Sequence, residues 1–195
     1  MKNVVIFLLA FLPIIFSGCA KHYAFNEENI GLQKNDFYSK VENQNVCVVE
    51  SSKVITRTPR DMALLASQTM DLDVNSVASG VAKKNFEQYF KTVKMIKNQN
   101  ECSNGLVVYP DVKDYHFLFE AGTGAGFIKY DMTINVYLNN KLILNKQYQV
   151  EDTDHIVFRL GAGFKKHSDW IDELYHKSLF NLFETQIKQD IINAL

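Results

Sequence analysis

From Phe127 to Val150 the chain alternates between apolar and polar residues regularly enough to predict a β-hairpin before anything else is known. Ile128, Tyr130, Met132, Ile134, Val136 and Leu138 are apolar, and Lys129, Asp131, Thr133 and Asn135 between them are polar. Successive side chains of a strand point to opposite faces, so a period of two predicts a strand with one buried face. Asn139-Asn140 predicts a tight turn, because asparagine tolerates positive φ, and Leu142, Leu144, Tyr148 and Val150 continue on the return strand. Shorter runs at Val46–Val49, Thr92–Ile96, Leu106–Tyr109 and His116–Glu120 predict further strands, the last pairing with the hairpin across a glycine-rich loop.

Elsewhere the period changes to three and four. Val74, Val77, Ala78, Val81, Ala82, Phe86, Tyr89 and Phe90 predict one helix, with Asp71 or Asp73 as its cap. Ile171, Leu174, Tyr175, Leu179, Leu182, Phe183, Ile187 and Ile191 predict a longer one, capped by Ser168 or Asp169. Met62–Ala66 behind Pro59 predicts a short third helix. Gly80 weakens its helix by up to ~1 kcal/mol relative to alanine, which is expected where another element packs closely. The order β-α-β-β-β-β-α predicts an α+β fold: two layers, a mainly antiparallel sheet with two helices packed on one face.

The amino end follows neither period. Lys2 precedes an apolar run, Val4–Phe16, which is shorter than the ~20 residues a membrane span needs and is interrupted by Pro13. It reads as a cleaved export signal, residues 1–18. Phe16-Ser17-Gly18-Cys19 resembles the lipobox of bacterial lipoproteins, which implies cleavage before Cys19 and acylation of that cysteine. Ala20 stands where an aspartate would retain an enteric lipoprotein at the inner membrane, so the resemblance implies the outer membrane, facing the periplasm. Residues 19–45 are polar, without periodicity, and read as the lipidated cysteine and a tether able to span ~30 Å. Tyr23, Phe25, Phe37 and Tyr38 interrupt it and are the residues by which parts of it would dock. Residues 46–195 then form a single α+β domain.

Composition narrows the partners. Lys plus Arg is 21 against 22 for Asp plus Glu, so no basic excess recruits nucleic acid. Hydrophobics at 47% suffice for a buried core. After Cys19 the remaining cysteines are Cys47 and Cys102, which in an oxidising envelope compartment are a candidate disulfide; the alternative is two separate buried thiols.

No motif names a reaction. Gly122-Thr123-Gly124-Ala125-Gly126 lies between antiparallel strands without the following helix that a phosphate cradle needs, and reads as a flexible hairpin loop. Flanked by Phe119 and Phe127, it is the candidate partner-binding loop: Phe119, Gly122, Gly124, Gly126 and Phe127. Gly161-Ala162-Gly163-Phe164 repeats its composition. Asp71, Asp73 and Asn75 have the spacing of the first calcium-loop ligands, but Ser76 and Ala82 stand where Gly and Glu are required, so helix capping is the reading. His22, His116, His155, His167 and His176 are scattered, so no metal site and no cofactor is expected. The nucleophile-elbow, Ser-x-x-Lys and Cys-x-x-Cys signatures are absent, and an enzyme is not expected.

The order of elements, and the Gly-x-Gly-x-Gly-Phe loop followed by an alternating strand and a short turn, resemble a group of small outer-membrane lipoproteins. Their domain is similar to those of curli-secretion lipoproteins, transport-auxiliary lipoproteins and the amino-terminal domain of the Tol-system β-propeller protein. The resemblance covers residues 46–194 and implies a non-catalytic binding or assembly module of an envelope complex, held to the membrane by lipid and meeting envelope proteins. It carries over no site residue except Cys19. This chain lacks the extra elements by which a pore-forming member inserts. The competing expectation is a small-ligand carrier or enzyme with a pocket between helices and sheet.

Overall fold

The computed structural model describes residues 21–30, 41–57, 70–102, 104–120, 125–155 and 167–195. The described strands are β1 Lys21–Tyr23, β2 Val41–Val49, β3 Val54–Arg57, β4 Met70–Asp73, β5 Phe90–Ile96, β6 Leu106–Glu120, β7 Ala125–Leu138 and β8 Lys141–His155. The helices are α1 Val74–Phe86, α2 His167–Leu182 and α3 Lys188–Ala194, with one π-helical stretch, Phe183–Ile187, joining the last two. Five strands form the main sheet in the order β5-β2-β6-β7-β8, and β1-β4-β3 form a small second sheet. The architecture is the expected α+β arrangement.

The alternation in β7 does what its period requires. Ile128, Tyr130, Met132, Ile134 and Val136 are all fully buried beneath the helices. Asn139 and Asn140 turn the chain at φ 50° and 65°, the double positive φ of a two-residue hairpin turn, and Leu138 faces Lys141 across it. In β2, every residue from Val46 to Val49 is buried, because the strand is interior to the sheet and covered on both faces. Val46 and Val48 join the main core, whereas Cys47 and Val49 join a second cluster with Ile96, Cys102 and Val107 on the opposite face.

Three features differ from the sequence expectation. First, β2 pairs in parallel with both β5 and β6, so the sheet is mixed; a short β-branched run carries no information about partner direction. Second, Leu106–Glu120 is one fifteen-residue strand with a register shift between Val112 and Asp114. Pro110 is tolerated within it because β2 pairs only as far as Val108. Beyond that point the free edge is closed by side chains: Asn75 Oδ1 accepts from the Val112 N–H at 2.9 Å, and Lys53 Nζ donates to the carbonyls of Val112 and Lys113 at 2.8 Å. Third, the segment read as a tether is not free over its described parts. Lys21–Tyr23 is a strand in parallel register with β4, Tyr23 and Ile30 are buried, and β2 begins at Val41. Apolar area on Tyr23, Phe25 and Ile30 is removed from water by docking, and that outweighs the freedom of a polar stretch.

The helices lie on one face. Asp73 caps α1, its Oδ1 accepting from the Ser76 N–H at 3.0 Å. The helix ends at Phe86 and Phe90 opens β5, so the helical spacing of Tyr89 and Phe90 continues across a turn rather than along the helix. Between helices and sheet, Tyr175 meets Tyr115 and Tyr130 at ring-centroid distances of 4.7 and 5.2 Å, while Phe86 lies edge-on to Phe90 and Phe183. Tyr175 donates to the Val74 carbonyl at 3.1 Å, and Tyr130 and Ser178 share a hydrogen bond at 3.1 Å. Burial pushes the hydroxyl pKa values of all three tyrosines upward, so they stay neutral in the core.

Candidate functional site

Residues 21–30 form a strap across α1 and α2, and its seat on α2 borders a polar cleft. Asp169, Asp172 and His176 sit at i, i+3 and i+7 on α2, one face of a helix. Each meets the strap. Asp169 accepts hydrogen bonds from Lys21 Nζ and from the Tyr23 hydroxyl, the latter at 2.7 Å. The Asp172 carboxylate accepts from Asn29 Nδ2 at 2.7 Å. His176 Nε2 accepts from the Asn26 backbone N–H at 2.9 Å, and its Nδ1 bonds the Asp172 carbonyl oxygen at 2.8 Å. These two partners define the tautomer: Nδ1 carries the proton and Nε2 is the acceptor.

The strap is fastened to α1 as well. Phe25 stacks against His176 at 5.8 Å and lies on Gly80, where an added Cβ would fall inside the phenyl ring. The cost of a mid-helix glycine is thus explained by the close approach the sequence predicts. Lys84 reaches Glu27 at 2.8 Å, and the short 3₁₀ turn Glu27–Asn29 is capped by Asn26. Between strap and helix remains a cleft of about 310 Å³ lined by Lys21, His22, Tyr23, Ala24, Asn26, Asn29, Asp169 and Asp172. Its electrostatics follow from the cross-links. The hydrogen bond to Asp169 raises the Lys21 pKa, holding the ammonium charged, whereas desolvation pushes His176 from 6.5 down to about 4, so the imidazole is neutral. The arrangement is a latch: each carboxylate and the imidazole bind a strap group.

The sequence-predicted site residues are not gathered here. Cys47 and Cys102 are joined in a disulfide with Cα atoms 6.3 Å apart, bridging β2 to the turn before β6. Cys19, Gly122 and Gly124 lie outside the described residues, as do the Met62–Ala66 helix and Gly161–Phe164. Three members of the proposed loop, Phe119, Gly126 and Phe127, are strand residues. Gly126 pairs with Phe119, and Phe127 pairs with Leu118. Gly126 is buried because the Trp170 indole occupies the space a side chain would need, so this glycine serves packing and not loop mobility. Phe127 is half-buried beside the more exposed Leu118. The spacing that resembled calcium ligands resolves into three separate duties: Asp71 accepts from Thr56, Asp73 caps α1, and Asn75 closes the β6 edge.

Sequence reasoning missed the latch. Asp169 read there as a candidate helix cap, and His176 as one of five scattered imidazoles. The available signal was the set Tyr23, Phe25 and Ile30, too apolar for a free tether, together with a histidine flanking the buried stripe of α2. Among the described residues no group of three or more metal-ligating side chains is placed to hold an ion, and no helix is long and apolar enough to cross a membrane.

No family model and no curated protein matches the chain. Its fold is similar to that of a Xanthomonas campestris protein of the DUF330 family, with a TM-score of 0.55 at 11% identity over 89% of this chain and 95% of that one. A minor lipoprotein from Acinetobacter baumannii is similar with a TM-score of 0.37 at 9% identity, covering 76% of this chain and 94% of that one. Rare lipoprotein B from Shewanella oneidensis gives 0.38 at 8% identity, covering 77% and 100%. At 11% identity the likeness to the Xanthomonas protein is one of fold.

Proposed function

We propose that this protein is a lipid-anchored component of a bacterial envelope, attached through Cys19 to the outer membrane and facing the periplasm, and that its α+β domain is a non-catalytic binding or assembly module. The observation that carries this is the cysteine-terminated export signal: a positive start at Lys2, an apolar Val4–Phe16 and the small residues Ser17 and Gly18 before Cys19. The Cys47–Cys102 disulfide supports an oxidising compartment. The latch supports a binding role over catalysis, because both nitrogens of His176 are engaged, Nε2 by the Asn26 N–H of the strap and Nδ1 by the Asp172 carbonyl of its own helix, and general acid–base work needs an imidazole free to exchange a proton with substrate. A carrier with its ligand between helices and sheet would need room that the Tyr115–Tyr130–Tyr175 cluster fills.

Lipidation is tested by Cys19→Ala and by the intact mass of the native protein. The native chain is expected to fractionate with membranes and to carry a diacylglyceryl group on Cys19; the variant is expected to be uncleaved or released. Each buried methylene adds ~0.8 kcal/mol, and two or more acyl chains hold a protein stably. Native protein recovered soluble with a free Cys19 thiol rejects the anchor. Envelope proteins that co-purify with the native chain would support the module, and a turnover activity in the purified domain would reject it.

A further inference from the structure

The distance between the proposed lipid and the folded domain is set by the chain itself. Lys21 already belongs to β1, so only Ala20 separates it from Cys19. An extended chain advances at most ~3.3–3.6 Å per residue, which places the Cys19 Cα within ~7 Å of the Lys21 Cα. β1 is not free to swing outward. It is paired with β4 through Lys21–Met70, His22–Asp71 and Tyr23–Leu72, and it is bonded to Asp169 through both Lys21 and Tyr23.

The same contacts define one pole of the domain. Asp169 holds Lys21, and the adjacent Trp170 covers Gly126 at the beginning of β7. From Gly126, β7 runs to the turn at Asn139-Asn140, a distance of about 43 Å at ~3.3 Å per residue. Gln99 Nε2 donates to Asn140 Oδ1 at this far end.

Resting on the lipidation of Cys19 proposed above, we infer that the pole formed by β1, Asp169–Trp170 and the Gly126 end of β7 lies against the surface of the bilayer that holds the lipid, with the Asn139-Asn140 turn as the far end. The bilayer is the partner of this pole because the covalent link is shorter than the domain by several-fold. A flexible stalk of the length the sequence suggested would have left the orientation free. The surfaces left to a protein partner are then the far turn and the helix-free face of β6, β7 and β8.

Trp170 is the single tryptophan and reports on this pole directly. The full lipoprotein, extracted from cells, is reconstituted in phosphatidylethanolamine–phosphatidylglycerol vesicles containing a lipid with a nitroxide headgroup. Two comparisons calibrate it: Trp170→Phe combined with Leu142→Trp, which moves the reporter to an exposed position beside the far turn, and an insertion of about twenty Gly/Ser residues between Ala20 and Lys21, which adds ~25 Å of root-mean-square reach. Native Trp170 is expected to be quenched several-fold more strongly than the Leu142→Trp reporter, and the insertion is expected to lower its quenching to the reporter's level. Equal quenching in the native and inserted chains overturns the orientation, and this comparison stands even where the double substitution fails to fold. The intact mass of the same samples separates the two claims: lipid on Cys19 with equal quenching rejects the orientation alone, and absence of lipid rejects the anchor and the orientation together.

Discussion

Acidification should loosen the latch through His176. The imidazole is fully buried in α2, accepts the Asn26 N–H at Nε2, stacks on Phe25, and has the Asp172 carboxylate 3.4 Å from Nδ1. Desolvation lowers its pKa from 6.5 to about 4, opposed by the Asp172 carbonyl, which favours the charged form. Protonation also turns Nε2 into a donor facing the Asn26 donor. Between those two values the unfolded chain binds the proton and the folded chain does not, so stability falls as pH falls. The contribution is whole above pH ~6.5 and is lost progressively toward pH ~4; at 1.36 kcal/mol per unit the full loss is ~3 kcal/mol. His176→Gln keeps an acceptor in reach of Asn26 and does not titrate in this range. Urea unfolding of both proteins from pH 8 to pH 4 should show their stability difference constant down to neutral pH and then changing by ~3 kcal/mol against the native chain. Curves that run parallel throughout would refute the assignment of a neutral, strap-holding His176.

Removing the disulfide with Cys47→Ala and Cys102→Ala opens a loop of sequence separation 55 and should cost ~2–4 kcal/mol in urea unfolding; alkylation of both thiols in unreduced native protein would show that no bridge forms. Gly126→Val places a side chain where the Trp170 ring lies, so it should cost ~1–3 kcal/mol and shift the tryptophan emission to the red, and an unchanged spectrum would contradict the packing described. Asn140 has φ 65°, so Asn140→Ala should cost ~1 kcal/mol in thermal or urea unfolding while Asn140→Gly stays near neutral; equal effects of the two would rule out the positive-φ turn.

The hairpin was legible in the sequence because strand geometry converts burial directly into a period of two. Ile128 to Val136 needed no knowledge of what covers them, since any apolar layer on that face imposes the same alternation. The Asn139-Asn140 turn and the Asp73 cap were legible for the same reason: each is decided by groups within three residues. Gly80 was half legible. Its conformational cost announced a close neighbour and could not name Phe25.

What only the tertiary structure decided involves groups far apart in the chain. Tyr23 meets Asp169 across a separation of 146 residues, and Asn26 meets His176 across 150. No local pattern encodes such a pair, because Asp169 in a first helical turn and His176 beside an apolar stripe look the same whether they face solvent or a strap. The parallel pairing of β2, the unbroken β6 across Pro110 and the burial of Gly126 under Trp170 have the same origin. Periodicity reports which side of an element leaves water, and the identity of what it meets there is settled by closure of the whole chain. Cys19 belongs to the sequence alone, since its signal is a short linear pattern; the distance from that cysteine to the folded domain belongs to the structure, which turned the beginning of an expected tether into a strand.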